Sequence, residues 1–154
     1  PAGMGVSLFT NPAMLAIDGL GGLVHADRLV ISGNDSLVSL DSLSAMTHAE
    51  WFELSDNPSL PNLKGLQNLQ EIKWLTITGN NALESVDTLV AGQGGSLVKG
   101  TSYIGIVGNP SLLDCDARQV HDNLQQKPPY YCYHVNKADA CSGAGDTCEP
   151  LPMP

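Results

Sequence analysis

The chain has 154 residues, enough for one domain with a substantial core and short for two. It is 42% hydrophobic and only 15% charged, with a formal net charge of −9. That acidity argues against nucleic acid or an anionic membrane as a partner, since both repel a negative surface and no basic run offsets it.

From the first residues onward one frame recurs. Asn11, Asn34, Asn57 and Asn80 are each 23 residues apart, and Asn109 follows after 29, the extra six falling around the glycine-rich run Ala91–Ser96. The frames are VSLFTNPAM, LVISGNDSL, FELSDNPSL, LTITGNNAL and IGIVGNPSL. Five residues before each Asn stand Val6, Leu29, Phe52, Leu75 and Ile104, and three before stand Leu8, Ile31, Leu54, Ile77 and Ile106. Apolar residues two apart predict a strand with one buried face. After the Asn come Met14, Leu37, Leu60, Leu83 and Leu112 at plus three, then Ile17, Leu40, Leu63, Val86 and Cys115 at plus six. Leu20, Leu43, Leu66 and Leu89 follow at plus nine. One such coil cannot bury its own apolar face, but stacked coils can, at about 4.8 Å each. The Asn amide is expected to satisfy backbone groups at the corner where each strand ends, with turn residues (Gly, Asp, Pro) on either side of it.

Beyond the fifth Asn, Asp116–Leu124 predicts a short helix with Asp116 as its N-cap and Ala117, Val120 and Leu124 as its apolar face, stopped by Pro128-Pro129. This helix is expected to cap the last coil. Four cysteines, Cys115, Cys132, Cys141 and Cys148, fall in the last quarter of the chain, with no CxxC pair to suggest zinc. Two disulfides follow, and with them an oxidising compartment. Of the three pairings, proximity favours Cys115–Cys132 and Cys141–Cys148. The expected division is a solenoid with its cap over 1–127 and a disulfide-bearing, Pro-rich tail over 128–154.

The spacing L-x-I-x-G-N-x-x-L resembles the receptor L-domain, a relative of leucine-rich repeats, because the apolar residue returns three positions after the Asn instead of two. The resemblance covers roughly residues 5 to 116, and the closing segment NPSLLDCDARQVHDNL is similar to the ends of bacterial secreted proteins of this kind. It implies a mainly β fold, a right-handed parallel β-helix or leucine-rich solenoid of about five coils. It also implies binding at a cell surface, or in the periplasm, without catalysis and without a cofactor. No apolar stretch reaches the length of a membrane span, no signal peptide is present, and the start at Pro1 without Met reads as a processed protein or a fragment. The first coil is the least regular and carries no cap before it, which calls for further coils upstream in a longer parent, or for a partner on that end.

Six residues before the Asn stand Arg28, Trp51, Trp74 and Tyr103, where side chains are expected to point outward as a flat, exposed aromatic strip. Glu53, Thr76, Ser32, Ser55 and Thr78 would flank it with hydrogen-bonding groups. Such a strip suits a sugar or protein ligand, with Arg28, Trp51, Glu53, Trp74, Thr76 and Tyr103 as its candidate residues. The alternative is that these aromatics fold over as peripheral core. Nine before the Asn lie His25, His48 and Glu71, a column with too few ligands to predict a metal site. The acids at plus seven, Asp18, Asp41, Asp87 and Asp116, are interrupted by Lys64 and are expected to cap local turns. No GxSxG, HExxH or P-loop is present, and Glu53 is the one acid among the outward positions of the main strands, so no enzyme is expected. The leading expectation is a recognition module for a protein or carbohydrate. The second is a structural protein that assembles head to tail through its first coil.

Overall fold

The computed structural model describes residues 5–133, 136 and 137. Its core element is a single six-stranded parallel sheet in the order β1-β2-β3-β4-β5-β6. The strands are β1 (Gly5–Phe9), β2 (His25–Ser32), β3 (His48–Ser55), β4 (Glu71–Thr78), β5 (Lys99–Val107) and β6 (Tyr130–Cys132), with one helix, α1 (Asp114–Asp122), between the last two. Neighbouring strands pair at the repeat spacing: Leu29 faces Phe52, which faces Leu75, which faces Ile104. The repeat thus sets the register, because a slip by one residue would turn the apolar side chains outward.

Each expected inward column is buried across the central repeats. Leu29, Ile31, Leu37, Leu40 and Leu43 are fully buried, as are Phe52, Leu54, Leu60, Leu63 and Leu66 one repeat later. Two further columns complete the core: Leu23, Met46 and Leu69, and Ala26, Ala49 and Ile72. A second line of parallel bridges, Ala16 with Ser39 and Asn62 with Ser85, runs along the turns that follow the Asn. Those turns are short 3-10 segments at Asp41–Leu43 and Asp87–Leu89. Their first N–H groups are held by the side chains two residues earlier: Ser39 Oγ bonds Asp41 N at 3.0 Å and Ser85 Oγ bonds Asp87 N at 3.1 Å. The capping oxygen is therefore supplied by the Ser, where the aspartates at plus seven were expected to act.

The Asn ladder is continuous. Asn34, Asn57, Asn80 and Asn109 are fully buried. Each accepts the backbone N–H of the preceding Asn on its Oδ1, at 3.1–3.2 Å. Each Nδ2 donates to a carbonyl of the preceding repeat, from Leu8, Ile31, Leu54 and Ile77 in turn. The residue before each Asn adopts a left-handed conformation to make the corner: Thr10, Gly33, Asp56, Gly79 and Gly108 all have φ between 52° and 70°.

The repeat runs one step further than the sequence reading placed it. Asn136 accepts the N–H of Asn109 at 2.9 Å and donates to the Ile106 carbonyl at 2.9 Å. Residues from 128 onward, expected to be tail, thus begin with a sixth strand and a sixth Asn. The helix also starts two residues early. Leu113 occupies its N-cap and no side chain caps it. The N–H of Asp114 bonds the Lys137 carbonyl instead, so Asp116 lies within the first turn. Ala117, Val120 and Leu124 are buried as expected. Cys115 and Cys132 are disulfide-bonded. Cys141 and Cys148, the second expected pair, lie outside the described residues. Among the described residues no helix is long and apolar enough to cross a membrane.

Candidate functional site

The outward face of the sheet carries the candidate residues, and the register brings them into one row. Arg28 pairs with Trp51, Trp51 with Trp74, and Trp74 with Tyr103. The row continues to Tyr130 on β6, paired with Tyr103 and 53% exposed, and it begins at Gly5, paired with Arg28. Tyr130 stands six residues before Asn136, so the same frame that gave the other aromatics would have found it.

Strand spacing decides how the rings sit. Paired strands lie about 4.8 Å apart, close to a comfortable stacking distance for flat rings. The Trp51 and Trp74 indoles stack at 4.8 Å between centroids, with planes 2° apart, and Tyr103 follows at 4.7 Å, tilted by 38°. The Arg28 guanidinium closes the other end, 5.2 Å above the Trp51 ring. The faces of both indoles are therefore occupied by their neighbours, and solvent meets ring edges. The flat exposed strip expected from the sequence is corrected to a half-buried, edge-on stack. Tyr103 also leans over Gly105, where any Cβ would lie within 2.3 Å of its hydroxyl oxygen. Burial raises the Tyr103 phenol above its ordinary value.

The polar flank is partly engaged. Thr76 accepts the Trp74 Nε1 proton at 3.3 Å, and Ser55 Oγ donates to Ser32 Oγ at 2.9 Å and stands 3.4 Å from Glu53 Oε1. Trp51 differs, since its Nε1 is buried and finds no hydrogen-bond partner among the described residues. Arg28 is exposed and its guanidinium donors meet no acceptor among the described residues. In contrast, Lys73 pairs with Glu50 at 3.4 Å, Lys99 with Glu71 at 2.6 Å and Arg118 with Asp122 at 3.1 Å.

The other columns are spent locally. The His25 and His48 rings stack at 6.2 Å, His25 meets Asp27 at 3.1 Å and His48 Nδ1 meets Thr47 Oγ1 at 2.8 Å. Glu71, the third member, is held by Lys99. A feature the sequence did not signal is an open, polar hollow of about 430 Å³ among Glu84, Pro110, Ser111, Leu113, Asp116 and Lys137. It forms where the sixth repeat meets the turns of the fourth and fifth, so it depends on Lys137. No family model, curated protein or solved structure matches the chain.

Proposed function

We propose that the chain is a secreted or cell-surface (or periplasmic) recognition module of the receptor L-domain type, coiled as a right-handed leucine-rich solenoid, that binds without catalysis. The observation that carries this reading is the rigid outward row from Arg28 to Tyr103. Large aromatic and Arg side chains fixed by mutual stacking lose little entropy on contact, and they are the residue types that anchor interfaces. Arg28 presents an unused fork of donors, and Glu53 and Thr76 add polar groups beside the rings. Two disulfide-bonded cysteines support an oxidising compartment.

Because the ring faces are taken, the row suits edge contacts with a polypeptide better than the face-on stacking that sugars use. A protein is therefore the favoured ligand, and a glycan the alternative. The test is a paired screen, on a glycan array and a displayed-peptide library, with the wild type beside a Trp51→Ala, Trp74→Ala double variant and an Arg28→Ala variant. Peptide binding that disappears in variants with unchanged far-UV dichroism supports the reading. Glycan binding lost in the same variants moves the ligand to carbohydrate. Retained binding in all variants removes this face as the site.

A further inference from the structure

Arg28, Lys73 and Lys99 stand on the strands of the sheet, and the two lysines are paired in the same way. Each bonds the carboxylate at the matching position of the strand before it. Lys73 of β4 reaches Glu50 of β3, 23 residues back, at 3.4 Å, and Lys99 of β5 reaches its register partner Glu71 of β4 at 2.6 Å. For Arg28 the matching position on the strand before is Gly5, which has no side chain. On its other side stands Trp51. The nearby acids are engaged elsewhere: Asp27, beside it in sequence, bonds His25 at 3.1 Å, and Glu53, one strand on, stands 3.4 Å from Ser55 Oγ.

The guanidinium is nevertheless held in place. Its Cζ lies 5.2 Å from the Trp51 ring, which itself stacks on Trp74 at 4.8 Å. Val30, the next outward residue of β2, is only 1% exposed, so the side chains at this end of the row lie close over the sheet. A long cation loses rotamer freedom when it forms an ion pair, and stacking removes part of that loss in advance. A planar carboxylate fits the guanidinium fork with two parallel bonds. A phosphate fits it too, but the row holds no second cation. The net charge of −9 also repels a doubly charged group more strongly than a singly charged one.

We propose that a polypeptide partner supplies the carboxylate that this sheet lacks opposite Arg28. The group is a single Asp or Glu side chain, bound by the Arg28 fork while an apolar residue beside it meets the edges of Trp51 and Trp74. This selectivity presupposes that the outward row is the binding face. A run of acids is disfavoured, since Asp27 and Glu53 lie beside Arg28 and one cation is there to receive them.

The test selects a displayed-peptide library on the wild type and resynthesises the recovered peptides, with each Asp and Glu changed in turn to Asn and Gln. All forms are titrated by fluorescence anisotropy against the wild type, Arg28→Gln, Arg28→Lys and the Trp51→Ala, Trp74→Ala double variant. The expected result is one acid whose change weakens binding about tenfold on the wild type and has no further effect on Arg28→Gln. Arg28→Lys should recover only part of the affinity, since an ammonium lacks the planar fork. Peptides that lose binding with the tryptophans but are indifferent to every acid overturn this inference and leave the binding face standing. So do peptides whose acid matters equally on the wild type and on Arg28→Gln. Peptides indifferent to the tryptophans and to Arg28 alike, or a library that yields none, overturn the binding face itself and this inference with it.

Discussion

The first repeat and the third are written in nearly the same frame, yet they live in different surroundings. Phe52, Leu54, Leu60 and Leu63 are fully buried, whereas Val6, Leu8 and Met14 are partly exposed and Asn11 is exposed. The third repeat has neighbours on both sides and the first has one among the described residues. In this fold burial is conferred by the next repeat and not by the residue's own pattern, as expected for nearest-neighbour stability. Equivalent substitutions in the two repeats should therefore differ widely in cost.

The largest difference is expected at the Asn ladder. Asn57→Ala removes an amide that serves Asn34 N, the Ile31 and Ser55 carbonyls and Asn80 Oδ1. Several buried groups lose their partner at once, at a cost of about 4 kcal/mol. Asn11→Ala, at the exposed end, should cost about 1 kcal/mol. Urea unfolding of both variants measures the gap, and equal losses would refute the neighbour-based account.

A smaller contrast is expected at two glycines of one column. Gly19 and Gly65 both have positive φ, 87° and 111°, so alanine is strained at each. A Cβ on Gly19 meets nothing within 4 Å, but on Gly65 it would lie 2.0 Å from the Leu40 carbonyl oxygen of the preceding repeat. Gly19→Ala should cost about 1 kcal/mol through its backbone alone. Gly65→Ala should cost about 3 kcal/mol, since two backbones must move apart. Thermal midpoints that fall equally would show that the repeats slide freely past this contact.

The columns, the register and the Asn corner were legible because each depends on spacing, and spacing survives in a bare sequence. The sixth repeat was hidden by chemistry. Tyr131 and Tyr133 stand five and three before Asn136, where every earlier repeat has an aliphatic residue or Phe, and the interval from Asn109 is 27. Aromatic residues at those positions carry the frame as well as leucine does. The aromatic row was also legible in its order, but ring orientation was not. Whether indoles present faces or edges follows from strand separation and from small neighbours such as Gly105, which are visible only once the strands are paired. The helix start moved for a similar reason, since Lys137, distant in sequence, supplies the acceptor that an N-cap side chain would have provided.

The last repeat completes the comparison, because among the described residues a helix packs against it and none packs against the first. Tyr131 pairs with Ile104 in the sheet, stacks on His121 at 4.3 Å and donates its hydroxyl proton to the Ala117 carbonyl of α1. Burial, reinforced by the nearby charge of Asp122 and by Tyr133, pushes its phenol far above the ordinary value. A raised acid keeps its proton in the folded state while the unfolded chain releases it. The stabilising effect is therefore complete below about pH 10 and is lost progressively above it, by up to about 1.4 kcal/mol per pH unit. Tyr131→Phe should cost about 1 kcal/mol at neutral pH, from the missing hydrogen bond, yet flatten the alkaline decline. Urea midpoints from neutral pH to about pH 11 test this. A variant that declines as steeply as the wild type would mean that the alkaline loss begins elsewhere, with the first repeat as the weaker end at every pH.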